Sequence, residues 1–478
     1  MARKLLVADL FCGAGGTTTG VMQAIEALGR EVEFVAVNHW PVAVATHAAN
    51  HPNVRHYCMD LDTARPHDLV PEGHLDLLLA SPECAYHSTA QGGRPLDEQN
   101  RASAWHVVRW AERLYIRRII VENVPRFLAW GPLNRRGRPI KEREGELFQA
   151  WVNALIALGY KVEWRVLNAA DYGSAQTRKR LMVQARRDGR RIVWPEPTHA
   201  RRGSEHTLHG VLKTWAPARS AIDFARYRHL ARSVFAKNLS PNTMARIAEG
   251  VRRYCRGPAA EAFLVMLRTH ASARSLDDPL PTVTTSGNHH VLIEPVLRPF
   301  VLGQHGGAVA RDADEPLPTI AQGGAISVLE PFLVESNHAG VRAARSVESP
   351  LPAITRKNGI GVIEPFVCAN RTNNVPTSLD EPVATITTAT GGGLMLLEPQ
   401  IVEVDGSRYE MVLLHRMLQP DELGRGQDFD GYEFTGTREQ QTAQIGNAVP
   451  VRLARAMGAA ALYDVQPAER TSEERVAS

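Results

Sequence analysis

A strand that runs into a glycine turn and leaves it as a helix, followed by further strand–helix alternation, constrains this chain more than any other feature. Residues Lys4 to Phe11 read as a buried strand, Cys12-Gly13-Ala14-Gly15-Gly16 as a tight turn, and Thr17 to Leu28 as a helix. Val32 to Val37 reads as a second strand before another helical segment, and Leu75 to Ala80 as a short continuous apolar strand. Arg118 to Val121 forms a fourth, after a helix that carries Trp105, Val108 and Leu114. Strands alternating with helices make a parallel sheet with helices on its faces, an α/β fold. Ligands of such sheets sit outside the carboxyl ends of the strands. The motifs at 11–16, 81–88 and 122–124 each begin where a strand stops, so they are expected to converge in one cleft.

From about residue 190 the pattern changes to proline, glycine, threonine and valine, and an internal repeat appears. Pro279-Leu280-Pro281-Thr282-Val283 recurs as Pro316-Leu317-Pro318-Thr319-Ile320, Pro350-Leu351-Pro352-Ala353-Ile354 and Pro382-Val383-Ala384-Thr385-Ile386. Each copy is followed by a glycine-containing turn and an apolar strand ending in Glu-Pro, at Glu294-Pro295, Glu330-Pro331, Glu364-Pro365 and Glu398-Pro399. Four strand-turn-strand units of this length are expected to stack and present loops on one face; an oligomerisation or purely structural insert is the other reading. The expected organisation is a first part at 1–190, the β-rich repeat region at 191–400, a return to α/β at 401–465 and a frayed tail at 466–478.

Charged residues at 22% and hydrophobic ones at 44% exclude the composition of a disordered chain. No apolar run reaches the length a bilayer requires and no signal-peptide pattern opens the chain, so it is expected to be cytoplasmic, with no membrane partner. Cys12, Cys58, Cys84, Cys255 and Cys368 are scattered without disulfide or metal-ligand spacing, which predicts no metal and a functional cysteine acting alone. The net charge of +4 identifies no partner, but Arg135-Arg136-Gly137-Arg138, Arg186-Arg187 with Arg190-Arg191, and Arg201-Arg202 are concentrated basic clusters. Each reads equally as a phosphate-neutralising patch or as a solvated surface.

A glycine turn between strand and helix lets the backbone approach a nucleotide-like ligand closely. Gly13-Ala14-Gly15 would open a dinucleotide fingerprint, but Thr18 fills its third glycine position, which argues against nicotinamide or flavin, and no lysine makes it a P-loop. Asp60, after a third strand, can accept from an adenine amino group, or it is a turn cap. Cys84 follows the constrained turn Ser81-Pro82-Glu83 and stands beside Gln91-Gly92-Gly93-Arg94, a setting for an exposed nucleophilic thiol. Glu122 ends the next strand, where a carboxyl group can protonate a heteroaromatic ring while a thiolate attacks it. Arg178 and Arg180 in Gln176-Thr177-Arg178-Lys179-Arg180 lie on one side of an extended segment as fixed cations.

Taken in order, Asp9-Leu10-Phe11-Cys12-Gly13-Ala14-Gly15-Gly16, Pro82-Glu83-Cys84, Glu122-Asn123-Val124, Gln176-Thr177-Arg178-Lys179-Arg180 and Gly446-Asn447-Ala448-Val449-Pro450 resemble the motif series of the DNA (cytosine-5)-methyltransferase family. The resemblance covers about residues 4–185 and 410–460. It implies a Rossmann-like, S-adenosylmethionine-dependent methyltransferase domain interrupted by a target-recognition insert, acting on double-stranded DNA with base flipping, and a monomer is expected. Cys84 is implied as the covalent nucleophile, with Glu122, Arg178 and Arg180 as its catalytic partners. Phe11, Gly13, Gly15, Gly16, Asn38, Trp40, Asp60 and Asn447 are implied donor contacts. The chain departs from the family pattern at Pro82-Glu83-Cys84-Ala85, where Pro-Pro-Cys-Gln is usual, and at Asn38-His39-Trp40, where an acidic residue usually meets the ribose. An RNA cytosine methyltransferase and a catalytically silent DNA-binding relative are the rival readings, and a restriction system and a phage are both open as its setting.

Overall fold

The computed structural model describes residues 3–82, 102–230, 232–233, 262–267, 273–285, 289–298, 300–303 and 407–467, with short strands between 311 and 404. Cys84, its neighbour Glu83, the Gln91–Arg94 loop and three of the four Pro-x-Pro or Pro-Val-Ala repeat segments lie outside the described residues.

The chain divides into two compact units, Met1–Asp223 with Leu276–Asn288 and Leu418–Ser478 in one, and Phe224–Ser275 with His289–Met417 in the other. In the first unit, in chain order, are β1 (Leu5–Leu10), α1 (Gly16–Ala27), β2 (Val32–Asn38), α2 (Pro41–Asn50), β3 (Arg55–Cys58) and β4 (Leu77–Ala80). There follow α3 (Trp105–Arg113), β5 (Arg118–Asn123), α4 (Glu146–Ala157), β6 (Lys161–Asn168) and β7 (Lys179–Arg186). After the second unit's segments come α5 (Pro420–Arg425), α6 (Arg438–Asn447) and α7 (Val451–Ala461). The strands form one sheet in the order β3-β2-β1-β4-β5-β7-β6. β3, β2, β1, β4 and β5 are parallel neighbours, whereas β7 runs antiparallel to both β5 and β6.

Burial on both faces explains why these strands read as continuous apolar runs. Leu6, Ala8 and Leu10 of β1 face a core shared with Trp110 and Trp151, and Leu5 and Val7 face the other core with Val21, Ile25, Leu453 and Met457. The strand expected over Leu75–Ala80 is interrupted at Asp76. Its buried carboxylate accepts from the Leu6 amide at 2.9 Å and pairs with Arg3 at 2.7 Å, a side-chain bond where the ladder would continue. Residues 191–223, placed in the insert by composition, belong instead to the first unit. The Trp215 indole donates to Asp171 and the Ala218 amide to the Asp278 carbonyl, contacts that proline and glycine content does not report.

Within the cluster Arg186-Arg187 with Arg190-Arg191, two of the four charges are paired inside the protein. Arg186 is 2% exposed and bonds Asp188 at 2.6 Å and Asp464 at 2.9 Å, and Arg190 reaches Asp464 at 2.7 Å. Arg187 and Arg191 are exposed, with their guanidinium groups over the rings of Tyr115 and Tyr463.

The described strands of the second unit pair antiparallel. His290–Arg298 pairs with Ser407–Met417 and with Phe263–Met266. Antiparallel pairing also joins Phe300–Gly303 to Ile326–Leu329, Val334–Ser336 to Gly359–Gly361, and Phe366–Ala369 to Leu394–Leu397. No helix among the described residues is long and apolar enough to cross a membrane.

Candidate active site

β1 ends at Leu10, and the chain turns over its carboxyl end with left-handed backbone at Phe11 (φ 59°), Gly13 (φ 54°) and Gly15 (φ 98°) before α1 starts. A Cβ on Gly13 would meet nothing nearer than the Phe11 carbonyl oxygen at 3.9 Å, so this side of the turn is open to an approaching group. Gly15 and Gly16 serve a different purpose. A Cβ at Gly15 would lie 2.7 Å from the Tyr432 hydroxyl and 2.9 Å from the His47 ring, and one at Gly16 would lie 2.2 Å from the Val449 carbonyl oxygen. The last motif therefore docks directly on the first, and two of the three glycines make room for the protein's own chain.

Beneath the turn lies a buried polar chain that sequence reasoning missed. Thr18 Oγ1 donates to Asp9 Oδ2 at 2.7 Å, His47 Nε2 lies 3.1 Å from Thr18 Oγ1, and His56 Nε2 lies 2.8 Å from His47 Nδ1. Burial pushes the Asp9 carboxyl up to about 7, against the Thr18 hydrogen bonds, and burial holds His47 down at about 3. A neutral His47 can donate through Nε2 while Nδ1 accepts from His56, so every donor in the chain points toward Asp9. The available signals were an aspartate inside a buried strand and a threonine where the fingerprint wants glycine.

At the carboxyl ends of β2 and β3 stand the other proposed donor contacts. Asn38 is buried and its Oδ1 accepts from the Trp40 amide at 2.8 Å, while Trp40 is half-buried. Asp60 is exposed, and its Oδ1 accepts from the Asp62 amide at 2.9 Å, the turn-capping role. Its second oxygen has no hydrogen bond among the described residues.

The carboxyl end of β5 holds Glu122, 7% exposed, with Oε1 2.7 Å from the Arg180 Nε on β7. Register puts Met182 opposite Glu122, so Arg180 reaches back from two positions along the neighbouring strand. Burial raises the Glu122 carboxyl above its ordinary value, and Arg180 and then Arg178 pull it down without cancelling the rise. Asn123 joins this strand end to the next: its Nδ2 donates to the Pro82 carbonyl at 3.2 Å. Glu122 is thereby fixed beside the start of the segment that carries Cys84. Arg178 is almost fully buried and donates to the Val283 carbonyl at 2.9 Å and the Gly446 carbonyl at 2.6 Å, so its guanidinium ties three stretches of chain together near Glu122. Asn447 follows Gly446 at the end of α6 and is exposed.

These motifs lie at the carboxyl ends of adjacent strands, and residues 5–251 match the model of the C-5 cytosine-specific DNA methylase family. The chain belongs to that family. It is 28% identical over 189 residues to the Type II methyltransferase M.Sau3AI of Staphylococcus aureus, covering 38% of this chain and 43% of that one. It is 30% identical over 197 residues to the Type II methyltransferase M.AgeI of Thalassovita gelatinovora, covering 40% and 42%. The chain thus spans less than half the length of these curated relatives. Among solved structures, Entamoeba histolytica methyltransferase EhMeth aligns over 97% of this chain and 99% of its own, with a TM-score of 0.45 and 11% identity.

Within this methylase-family chain the return segment is locked to the strand side by a further carboxylate, that of Asp428. Asp428, with left-handed backbone at φ 67°, accepts from Ser174 Oγ at 2.6 Å and pairs with Arg452 at 3.3 Å. Arg452 in turn donates to the Gly173 carbonyl at 2.6 Å. These bonds hold the segment before Arg178 against the segment that ends in Gly446 and Asn447.

Proposed function

We propose that this chain transfers a methyl group from S-adenosylmethionine to C5 of cytosine in duplex DNA, with Cys84 as the covalent nucleophile. The observation that carries the reading is the buried Glu122–Arg180 pair, joined through Asn123 to Pro82, two residues before Cys84. The family match and the names of the Type II relatives support it.

The residues present fit the donor. The open side of Gly13, the Asn38 amide, the half-buried Trp40 and the exposed Asp60 lie at the carboxyl ends of three neighbouring strands, a run suited to an adenosyl group. When bound, S-adenosylmethionine supplies an electrophilic methyl group. Asn38 is a neutral acceptor for the ribose, Asp60 a carboxylate for the adenine amine, and the backbone about Gly13 and Phe11 the floor.

Cytosine C5 is a weak nucleophile until something adds at C6. The Cys84 thiolate adds there, while Glu122 holds and protonates N3, its raised affinity for a proton suiting that step. Arg180 keeps Glu122 in place, and C5 becomes enamine-like and takes the methyl group. Return of the N3 proton to Glu122 and loss of the C5 proton to water then let Cys84 leave as the thiolate and restore the ring. The target base must first leave the stack, at a cost of roughly a few kcal/mol that pocket and phosphate contacts offset. Sequence selection is assigned to the β-rich unit between the catalytic segments, and a restriction-modification setting is the one the Type II names support.

Bisulfite sequencing of plasmid recovered from a host that makes the protein tests the reading. Protected cytosines confined to one sequence context are expected, absent in a host with empty vector. Complete conversion of every cytosine, with the folded protein present, would overturn it.

A further inference from the structure

Between Glu122 and α4 the chain builds a small, rigid, basic hairpin. Leu133 and Pro139 pair antiparallel, the Asn134 amide donates to the Arg138 carbonyl at 2.8 Å, and Gly137 closes the turn with φ 67°. Asn134 Oδ1 also accepts from the Arg136 amide at 2.9 Å and the Arg138 amide at 3.1 Å, so one side chain organises the loop. The base is anchored on the core. Trp130 is 2% exposed, and its carbonyl accepts from the Leu147 and Phe148 amides. A Cβ on Gly131 would strike the Arg143 carbonyl oxygen at 2.2 Å, so the two limbs meet there without room for a side chain.

Arg135, Arg136 and Arg138 are all exposed, and none makes an ion pair among the described residues. That contrasts with Arg143 at the base, which is bound to Glu146 at 2.7 Å, and with Arg186, whose charge is spent on Asp188 and Asp464. Glu142 and Glu144 come after the hairpin, on the limb that descends to α4. The chain leaves the carboxyl end of β5 at Asn123 and returns to the sheet only through α4, so the hairpin stands on the same edge as Glu122. A guanidinium fork matches phosphate oxygens, and a loop already fixed in shape loses little freedom on binding.

We propose that the Leu133–Pro139 hairpin grips the phosphate backbone of the duplex beside the reacting cytosine through Arg135, Arg136 and Arg138. This rests on the DNA reading above and adds a contact surface within the catalytic part of the chain, apart from the β-rich unit. The contacts are to phosphate, so they add affinity without choosing sequence.

The test is the salt dependence of binding of the full chain to a fluorescent duplex, read by anisotropy. The slope of log K against log salt changes by about 0.9 for each phosphate contact, hence by up to about 2.7 for three. The variant R135A/R136A/R138A should bind more weakly with a slope shallower by that order, the lysine variant R135K/R136K/R138K should keep the slope, and the bisulfite context should not change. A slope in the alanine variant equal to that of the wild type overturns the hairpin assignment and leaves the DNA reading intact. Failure of the wild type to bind any duplex at low salt overturns both.

Discussion

Glu122 is caught between loss of water, which favours its protonated form, and two guanidinium groups, which favour the carboxylate. Arg180 is the larger of the two opposing influences and bonds the carboxylate directly at 2.7 Å. Replacing Arg180 with Gln removes that charge while burial remains, so the Glu122 carboxyl must rise further. The limb of the kcat/KM pH profile that reports Glu122 is expected to move to higher pH in Arg180→Gln, with activity at neutral pH falling by roughly ten- to a hundredfold as positioning is lost. A limb that stays where it was, or moves down, would mean that Arg180 does not govern this group. The order of motifs made Glu122 and Arg180 legible as partners. It could not reveal that Arg178 is spent on the Val283 and Gly446 carbonyls, because backbone acceptors leave no mark in a residue code. Asp60 shows the same limit, since capping its own turn and meeting a ligand call for the same side chain.

At the level of elements, the glycine turn is best understood through the helices it lets meet. α1 presents Gly16 and Gly20 to the start of α7, and a Cβ at those positions would lie 2.2 Å from the Val449 carbonyl and 2.4 Å from the Val451 carbonyl. Backbone cannot move aside as a flexible side chain can, so Gly16→Ala should separate the last motif from the first. A loss of about 1–3 kcal/mol in unfolding free energy is expected, seen as a lower urea midpoint. Gly13→Ala, which meets only the cost of its left-handed backbone, should lose less. Equal losses would place the packing burden elsewhere. Strand and helix positions here were readable from apolar runs because both faces of the sheet are covered. Asp76 and Asp9 were the exceptions. Asp9 lies inside a buried strand and Asp76 at the break just before one, and each carboxylate finds its partner, Thr18 or the Leu6 amide, in another part of the chain.

Over the whole molecule, segments far apart in sequence complete one unit around the sheet, and composition alone misplaces where the β-rich part begins. Residues 191–223 look like the insert but pack in the first unit, because a few directional bonds such as Trp215 to Asp171 outweigh a compositional trend. The return segment is held at the other end of the sheet by Asp464, which accepts from Arg118 at 2.8 Å and from Arg186 and Arg190. This assembly has a chemical purpose only if Cys84, beyond the Pro82 that Asn123 holds, adds to a flipped cytosine next to Glu122. The direct measurement is incubation of the protein with S-adenosylmethionine and duplex DNA carrying 5-fluorocytosine in the bisulfite-defined context, followed by denaturing electrophoresis. Fluorine cannot leave C5 as a proton does, so elimination of the thiol is blocked. A covalent protein–DNA band is expected with the wild type and none with Cys84→Ala; the same band from Cys84→Ala, or no band from a wild type that methylates ordinary DNA, would contradict the account.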